Sequence, residues 1–182
     1  IEDEGAIFLV DLGLGENCDK SKRDERVQAL KRLFECKTVE KIVHDCRMDC
    51  DALWHLHRIK LKNVHDTSCF HAVITGEEYK NLNDGLSYNG VEENDARDNS
   101  VYKRNPAFWA TRPLTKRMIE WASSDVDKLL IVASKQVDAV MERFGGKRME
   151  EAQKKSTEHT KAARNMKVER GLEVHGEIGG SI

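Results

Sequence analysis

The chain has 182 residues, 39% of them hydrophobic and 34% charged. That length suits one compact domain with an appendage, and the apolar share is enough for a core beneath a heavily charged surface. Its net charge of −2 excludes a general electrostatic pull toward nucleic acid, so any such binding has to come from a local basic patch.

Residues 6–12 (Ala-Ile-Phe-Leu-Val-Asp-Leu) form a short apolar run bounded by glycines, which predicts a buried strand. Over 21–36, Val27, Leu30, Leu33 and Phe34 recur at helical spacing, with charges on the other face. Residues 38–44 predict a second strand, 49–58 a helix with Leu53 and Leu56 inward, and 59–64 the approach to a third strand. A helix follows over 67–74, capped by Asp66 or Thr67. This strand–helix alternation argues for an α/β domain. Leu82, Leu86 and Tyr88 make a weak helical stripe, and 92–104 predicts a mobile surface loop. Phe108 and Trp109, between Pro106 and Pro113, predict an apolar plug in the core. The longest helical pattern runs over 115–144 and stops at Gly145-Gly146. Residues 147–170 predict a charged helix, with eight Lys and Arg against four Glu, that is solvated or lies between domains. Beyond Gly171 the pattern predicts a further element or domain. The first residue is Ile1, not Met, and the last four are Gly-Gly-Ser-Ile, which predicts a piece of a longer protein.

Two separated stretches carry chemistry. His44-(x4)-Asp49 precedes a Leu-containing helix and is followed, after the next strand, by Asp66-Thr67. Further on come Phe108-Trp109-(x2)-Arg112-Pro113-Leu114-Thr115 and Trp121-Ala122-(x2)-Asp125-Val126. Residues 121 and 125 are one turn apart on one helix face. This order resembles the 3′–5′ exonucleases of the DEDD superfamily, in the RNase D and Egalitarian-like branch, over residues 6–135. The resemblance implies an α/β, ribonuclease H-like exonuclease fold. A central mixed sheet would be flanked by helices, truncated at its N-terminal strands and followed by a C-terminal helical extension. The implied division is an exonuclease-like domain over 1–144, the charged extension over 147–170 and the start of another element over 171–182.

The same resemblance implies hydrolysis of phosphodiester bonds at nucleic acid 3′ ends by the parent protein. Two Mg²⁺ or Mn²⁺ ions roughly 4 Å apart would be held by separated carboxylates. Asp49 and Asp125 are the implied metal ligands and catalytic acids, with Asp51 as the alternative to Asp49. Trp121 stands in the position of the family tyrosine, and its indole donates a hydrogen bond but cannot accept one in the ring plane. The family's Asp-x-Glu does not occur where this chain would need it, and Asp11 with Glu16 lacks that spacing. The fragment alone is therefore expected to be inactive. The rival expectation is an exonuclease-like module without catalysis, acting as an RNA-binding or dimerising adaptor. Single-stranded RNA or DNA is the expected partner, together with a second copy of the chain or RNA-processing proteins.

For that partner, Lys103, Arg104, Arg112, Lys116 and Arg117 are the candidate phosphate contacts, with Lys60 and Lys62 beside them. Tyr102, Phe108 and Trp109 are interleaved with this set. Cys36, Cys46, Cys50 and Cys69 lie among five histidines between 36 and 71. With no Cys-x2-Cys pair, the density reads as buried thiols and imidazoles rather than structural zinc. Five cysteines in all, an odd and sparse set, predict a reducing intracellular compartment; cytoplasm, nucleus and an organelle are all open. No run approaches the roughly 18 apolar residues of a membrane span, so no membrane partner is expected.

Overall fold

The computed structural model describes residues 5–12, 19–77, 81–98, 100–105 and 107–162. In chain order the elements are α1 (Lys20–Phe34), β1 (Lys41–Val43), α2 (Arg47–His57), β2 (Val64–Asp66), α3 (Thr67–Thr75), α4 (Leu82–Tyr88), α5 (Ser100–Arg104), a 3₁₀ turn (Phe108–Ala110), α6 (Lys116–Ser124), α7 (Leu129–Phe144) and α8 (Gly146–Ala162). The two strands pair in parallel, Lys41 opposite Val64 and Val43 opposite Asp66, with α2 as the crossover.

The centre of the fold is α3. Phe70, Val73 and Ile74 are buried together with the polar Thr67, Ser68, Cys69 and His71, so this short helix is enclosed on nearly all sides, as an all-round apolar or satisfied helix must be. Phe70 and Ile74 pack with Val140 of α7 and Ala152 of α8. Each fully buried large apolar side chain contributes about 1.5–3 kcal/mol. On one flank Cys46, Cys50, Leu61 and Val64 form a second cluster, against which Phe34 closes the end of α1. On the other, Leu82 and Leu86 of α4 meet Leu129 and Val132 of α7.

Several polar groups at the core are hydrogen-bonded, as burial requires. Gln136 donates to the Thr67 carbonyl at 2.9 Å, and its Oε1 lies 3.2 Å from His65 Nε2. Asp66 caps α3 by accepting from the Ser68 amide, one of the two caps expected from the sequence.

Four expectations need correction. Residues 6–12 are not a strand: the run is irregular and mostly exposed, Phe8 to 82%. With that strand absent, the sheet of the described residues is a two-stranded parallel one and not a central mixed sheet; the domain is mostly helical. The 115–144 pattern is two helices, since α6 ends at Ser124, capped by Asp125, and α7 begins at Leu129. Apolar spacing continues through that break without Gly or Pro, so periodicity alone does not reveal it. The 92–104 segment is anchored rather than loose. Asn94, only 2% exposed, exchanges backbone-to-side-chain bonds with Asn83 and caps its own turn at Ala96, and α5 follows.

The charged helix, described as far as Ala162, is not merely solvated. Ala152, Ser156, His159 and Thr160 fall on one helical stripe and are buried against β2 and α3. Small side chains make that stripe, so charge on the other faces hides it in the sequence. Residues 163–170 and the element expected beyond Gly171 lie outside the described residues.

Candidate nucleic-acid site and its acids

The turn between β1 and α2 is set by Asp66. Its carboxylate accepts from the Asp45 amide at 2.8 Å, the Cys46 amide at 3.0 Å and both the amide and hydroxyl of Ser68. His159 Nδ1 approaches the remaining face at 3.0 Å. Burial opposes the charge, but hydrogen bonds from His159, Ser68 and the two amides prevail, and the Asp66 carboxyl is held well below the usual range. Asp45 adopts φ 51°, a left-handed conformation that Asp tolerates better than most residues, and this points the two amides at Asp66. Cys46 provides no side-chain cap for α2; the Asp66 bonds hold the entry to that helix instead.

Asp49 sits in the first turn of α2, where the helix dipole favours a negative charge. It lines a cleft of about 760 Å³ between α2, residues 9–12, the 3₁₀ turn and α6. The walls are mainly apolar: Leu9, Leu12, Phe34, Leu53, Leu56, Trp109 and Leu114, with His57, Asp11 and Arg112 as polar exceptions. Although the residue is exposed as a whole, desolvation at this apolar mouth, then the charges of Asp45 and Asp66, raise the Asp49 carboxyl above its ordinary value. A carboxylate tuned this way in a cleft marks a candidate site.

Asp125 is the C-cap of α6. Its Oδ1 accepts from Asn94 at 2.8 Å and pairs with the Arg97 guanidinium at 2.9 Å. It is Ala122, one turn earlier, that lines the cleft with Asp49. Asp51 faces His55 across one turn, 3.4 Å away. Trp121 is 1% exposed. Its ring packs against Trp109 and Phe108 at centroid distances of 5.5 and 5.9 Å, the apolar plug expected of that aromatic pair.

Two divalent ions need several carboxylate oxygens gathered at one place. Among the described residues, one group brings three metal-ligating atoms within 4.8 Å of one another, and it consists of Asp66, Cys69 and His159. Asp49, Asp51 and Asp125 are not part of it, and two of these three are engaged by other side chains. The described residues do not fit a pair of Mg²⁺ or Mn²⁺ ions.

The candidate basic residues are mostly paired. Arg112 grips Asp11 through two bonds of 2.7 and 2.8 Å and donates to the carbonyls of Trp109 and Thr111. This raises its already high pKa further. Arg104 and Arg117 share Asp98. Lys116 is 91% exposed and reaches Glu120 at 3.5 Å. Lys103 lies on α5, and its side chain, like that of Tyr102, is outside the described residues. Arg58 and Lys60, near the far end of α2, stand over the Trp54 ring.

Residues 2–138 match the family described as 3′-5′ exonuclease. The chain belongs to that family. Its Asp49 and Asp125 segments, the Asp66-Thr67 cap and the cleft all fall within the matched residues. This exonuclease-family chain is 37% identical over 73 residues to the piRNA biogenesis protein EXD1 of Bombyx mori, covering 36% of the chain and 23% of that protein. It is 26% identical over 125 residues to the protein of the same name from Mus musculus, covering 62% of the chain and 22% of that protein. The chain thus spans under a quarter of the length of these relatives. Among the described residues no helix is long and apolar enough to cross a membrane.

Sequence reasoning missed the grouping around Asp66. Its partners arrive from α8, 93 residues away, on a helix whose composition signals only charge. The one available signal was the Ala152, Ser156, His159 and Thr160 stripe of small and polar residues at helical spacing.

Proposed function

We propose that this chain is an RNA-binding module of the 3′–5′ exonuclease family that engages single-stranded RNA without hydrolysing it. The observation that carries this reading is the Asp125 carboxylate, occupied by Arg97 and Asn94, while Asp49 lines the cleft. Two of the acids a two-metal site would use are committed differently, and the Asp-x-Glu pair is absent from this sequence. RNA is favoured over DNA because both similar proteins carry names in piRNA biogenesis. The cleft suits a splayed base: it is large enough for a nucleoside, mainly apolar, and has Trp109 in its wall. Lys116, Arg117, Arg104, Lys103 and Arg112 are the phosphate track in this proposal, the paired ones exchanging Asp98 or Asp11 for phosphate oxygens.

The proposed unit is residues 1–144, with α8 packed onto it as far as Ala162; the rest of the expected 147–170 extension and residues 171–182 lie outside the described residues. Such a module serves in a reducing intracellular compartment, and a second copy or another RNA-processing protein would bring RNA and effector together. Electrophoretic mobility of labelled single-stranded RNA at two salt concentrations tests it. Binding that weakens with salt and with Trp109→Ala is expected; wild-type affinity no different from that of an unrelated protein of equal charge overturns it.

One observation favours a second reading, catalysis by the parent protein. Asp49 has its carboxyl raised by a partly apolar setting, which costs stability and is typical of functional acids. In that reading Asp49, Asp125 and the alternative Asp51 are completed by acids from other parts of the parent. Trp121 forms a wall, and a Mg²⁺ or Mn²⁺ ion held by the completed set of acids would activate the attacking water. Hydrolysis by the parent that Asp49→Asn abolishes would favour it.

A further inference from the structure

Among the described residues, the one place where unlike metal-binding atoms converge is the buried junction of β2, α3 and α8. Asp66, Cys69 and His159 are 0, 1 and 6% exposed. Their ligand atoms lie within 4.8 Å of one another. His159 Nδ1 is 3.0 Å from Asp66 Oδ2 and 3.2 Å from Cys69 Sγ. A single ring nitrogen faces two groups at once. It carries one proton or one lone pair, so it satisfies a carboxylate or accepts from a thiol, not both.

We propose that Asp66, Cys69 and His159 hold one Zn²⁺ ion that fastens α8 to the β2–α3 junction.

The donor set decides the ion. A nitrogen, a sulfur and a single carboxylate oxygen suit borderline-soft Zn²⁺ and not the hard Mg²⁺ or Mn²⁺. Burial suits a structural ion, which exchanges slowly and needs no open position for substrate. The neighbouring Cys46, wholly buried, donates its amide to Asp66 Oδ2 at 3.0 Å. Binding would release the Cys69 thiol proton to solvent and select the His159 tautomer protonated at Nε2, leaving the Nδ1 lone pair for the ion. Asp66 keeps its four bonds from Asp45, Cys46 and Ser68, which orient it as outer-shell donors orient a metal-bound carboxylate.

The test uses the whole chain, purified without chelator, incubated with Zn²⁺ alone and desalted. Metal analysis should find about one Zn²⁺ per chain, and a strong chelator should lower the melting temperature by several degrees. Co²⁺ in its place should give an intense near-ultraviolet thiolate band. Cys69→Ser keeps a hydrogen bond to His159 and should fold, but it should lose the ion; Cys36→Ser should keep it. If Cys69→Ser fails to fold, the Co²⁺ spectrum of the wild type decides alone. Folded wild-type protein that retains no Zn²⁺ and shows no thiolate band overturns the proposal, leaving a hydrogen-bonded Asp–His–Cys contact without metal. Retention unchanged by Cys69→Ser overturns it equally.

Discussion

The Arg97 guanidinium lies 2.9 Å from the Asp125 carboxylate, and the two side chains are about equally shielded, 32 and 29% exposed. The acid that the family pattern assigns to metal binding is neutralised from within the domain. Asn94 reinforces this by donating to the same oxygen and to the Trp121 carbonyl. The 92–104 segment, expected to be loose, is the device that does it.

Asn94→Ala removes a buried amide that serves two acceptors and one backbone donor. Leaving buried polar groups unmet costs about 1–3 kcal/mol, so urea unfolding should show a loss of that size. Arg97→Ala should cost less, about 0–1 kcal/mol, because the pair is partly exposed and screened. A larger loss for Arg97→Ala than for Asn94→Ala would reverse this ordering.

Trp121→Ala empties the middle of the Phe108, Trp109 and Trp121 cluster. Truncation of a buried aromatic costs about 3–5 kcal/mol, enough to unfold a marginal domain. Circular dichroism and thermal melting should show it. Trp121→Tyr in this chain should give no exonuclease activity, since the new hydroxyl would be enclosed by two aromatic rings. Activity gained on that substitution would contradict the wall role.

Two acids give opposite pH signatures. The Asp66 carboxyl is depressed in the folded state, so its stabilisation is present above its unfolded value near ~3.9 and is lost as pH falls toward the lower folded value. The Asp49 carboxyl is raised. The folded state then holds its proton longer than the unfolded one, and stability falls as pH rises through the window between the two values. Asp49→Asn should therefore stabilise the domain at pH 7 and have no such benefit at pH 3. Unfolding curves of the variant at both pH values check the sign; destabilisation at pH 7 would show that Asp49 is held by interactions its carboxylate alone can make.

Among the described thiols, Cys36 should react first. The Thr38 hydroxyl, then the amides of Thr38 and Val39, lower its pKa to about 7, and it is half-buried while Cys46, Cys50 and Cys69 are buried. A thiolate is the reactive form. Mass spectrometry after brief alkylation at pH 7 should find Cys36 modified well ahead of those three; equal labelling would mean that the core opens readily.

Local patterns were legible where one element buries one stripe. Helices α1 and α2, a strand within residues 38–44 and the Asp66 cap follow from spacing and cap chemistry, although no residue of α1 is fully buried and Leu56, expected inward with Leu53, is 62% exposed. Residues 6–12 misled because an apolar run predicts a strand only when another strand pairs with it, and pairing is not local. The break at 125–128 was hidden because apolar spacing runs through it. The ion pair of Asp125, and the convergence of Cys69 and His159 on Asp66, join residues 28 to 93 positions apart. No local pattern encodes such meetings. Family resemblance pointed to Asp49 and Asp125 as candidates, and it carried no information on which side chains engage them.

The central claim is that this chain binds single-stranded RNA without shortening it. Incubating it with 5′-labelled single-stranded RNA and Mn²⁺, and resolving the products on a denaturing gel, tests that most directly. Full-length RNA retained in a complex at low salt is the predicted result. A ladder of shortened products that disappears with chelator and with Asp49→Asn would contradict the account.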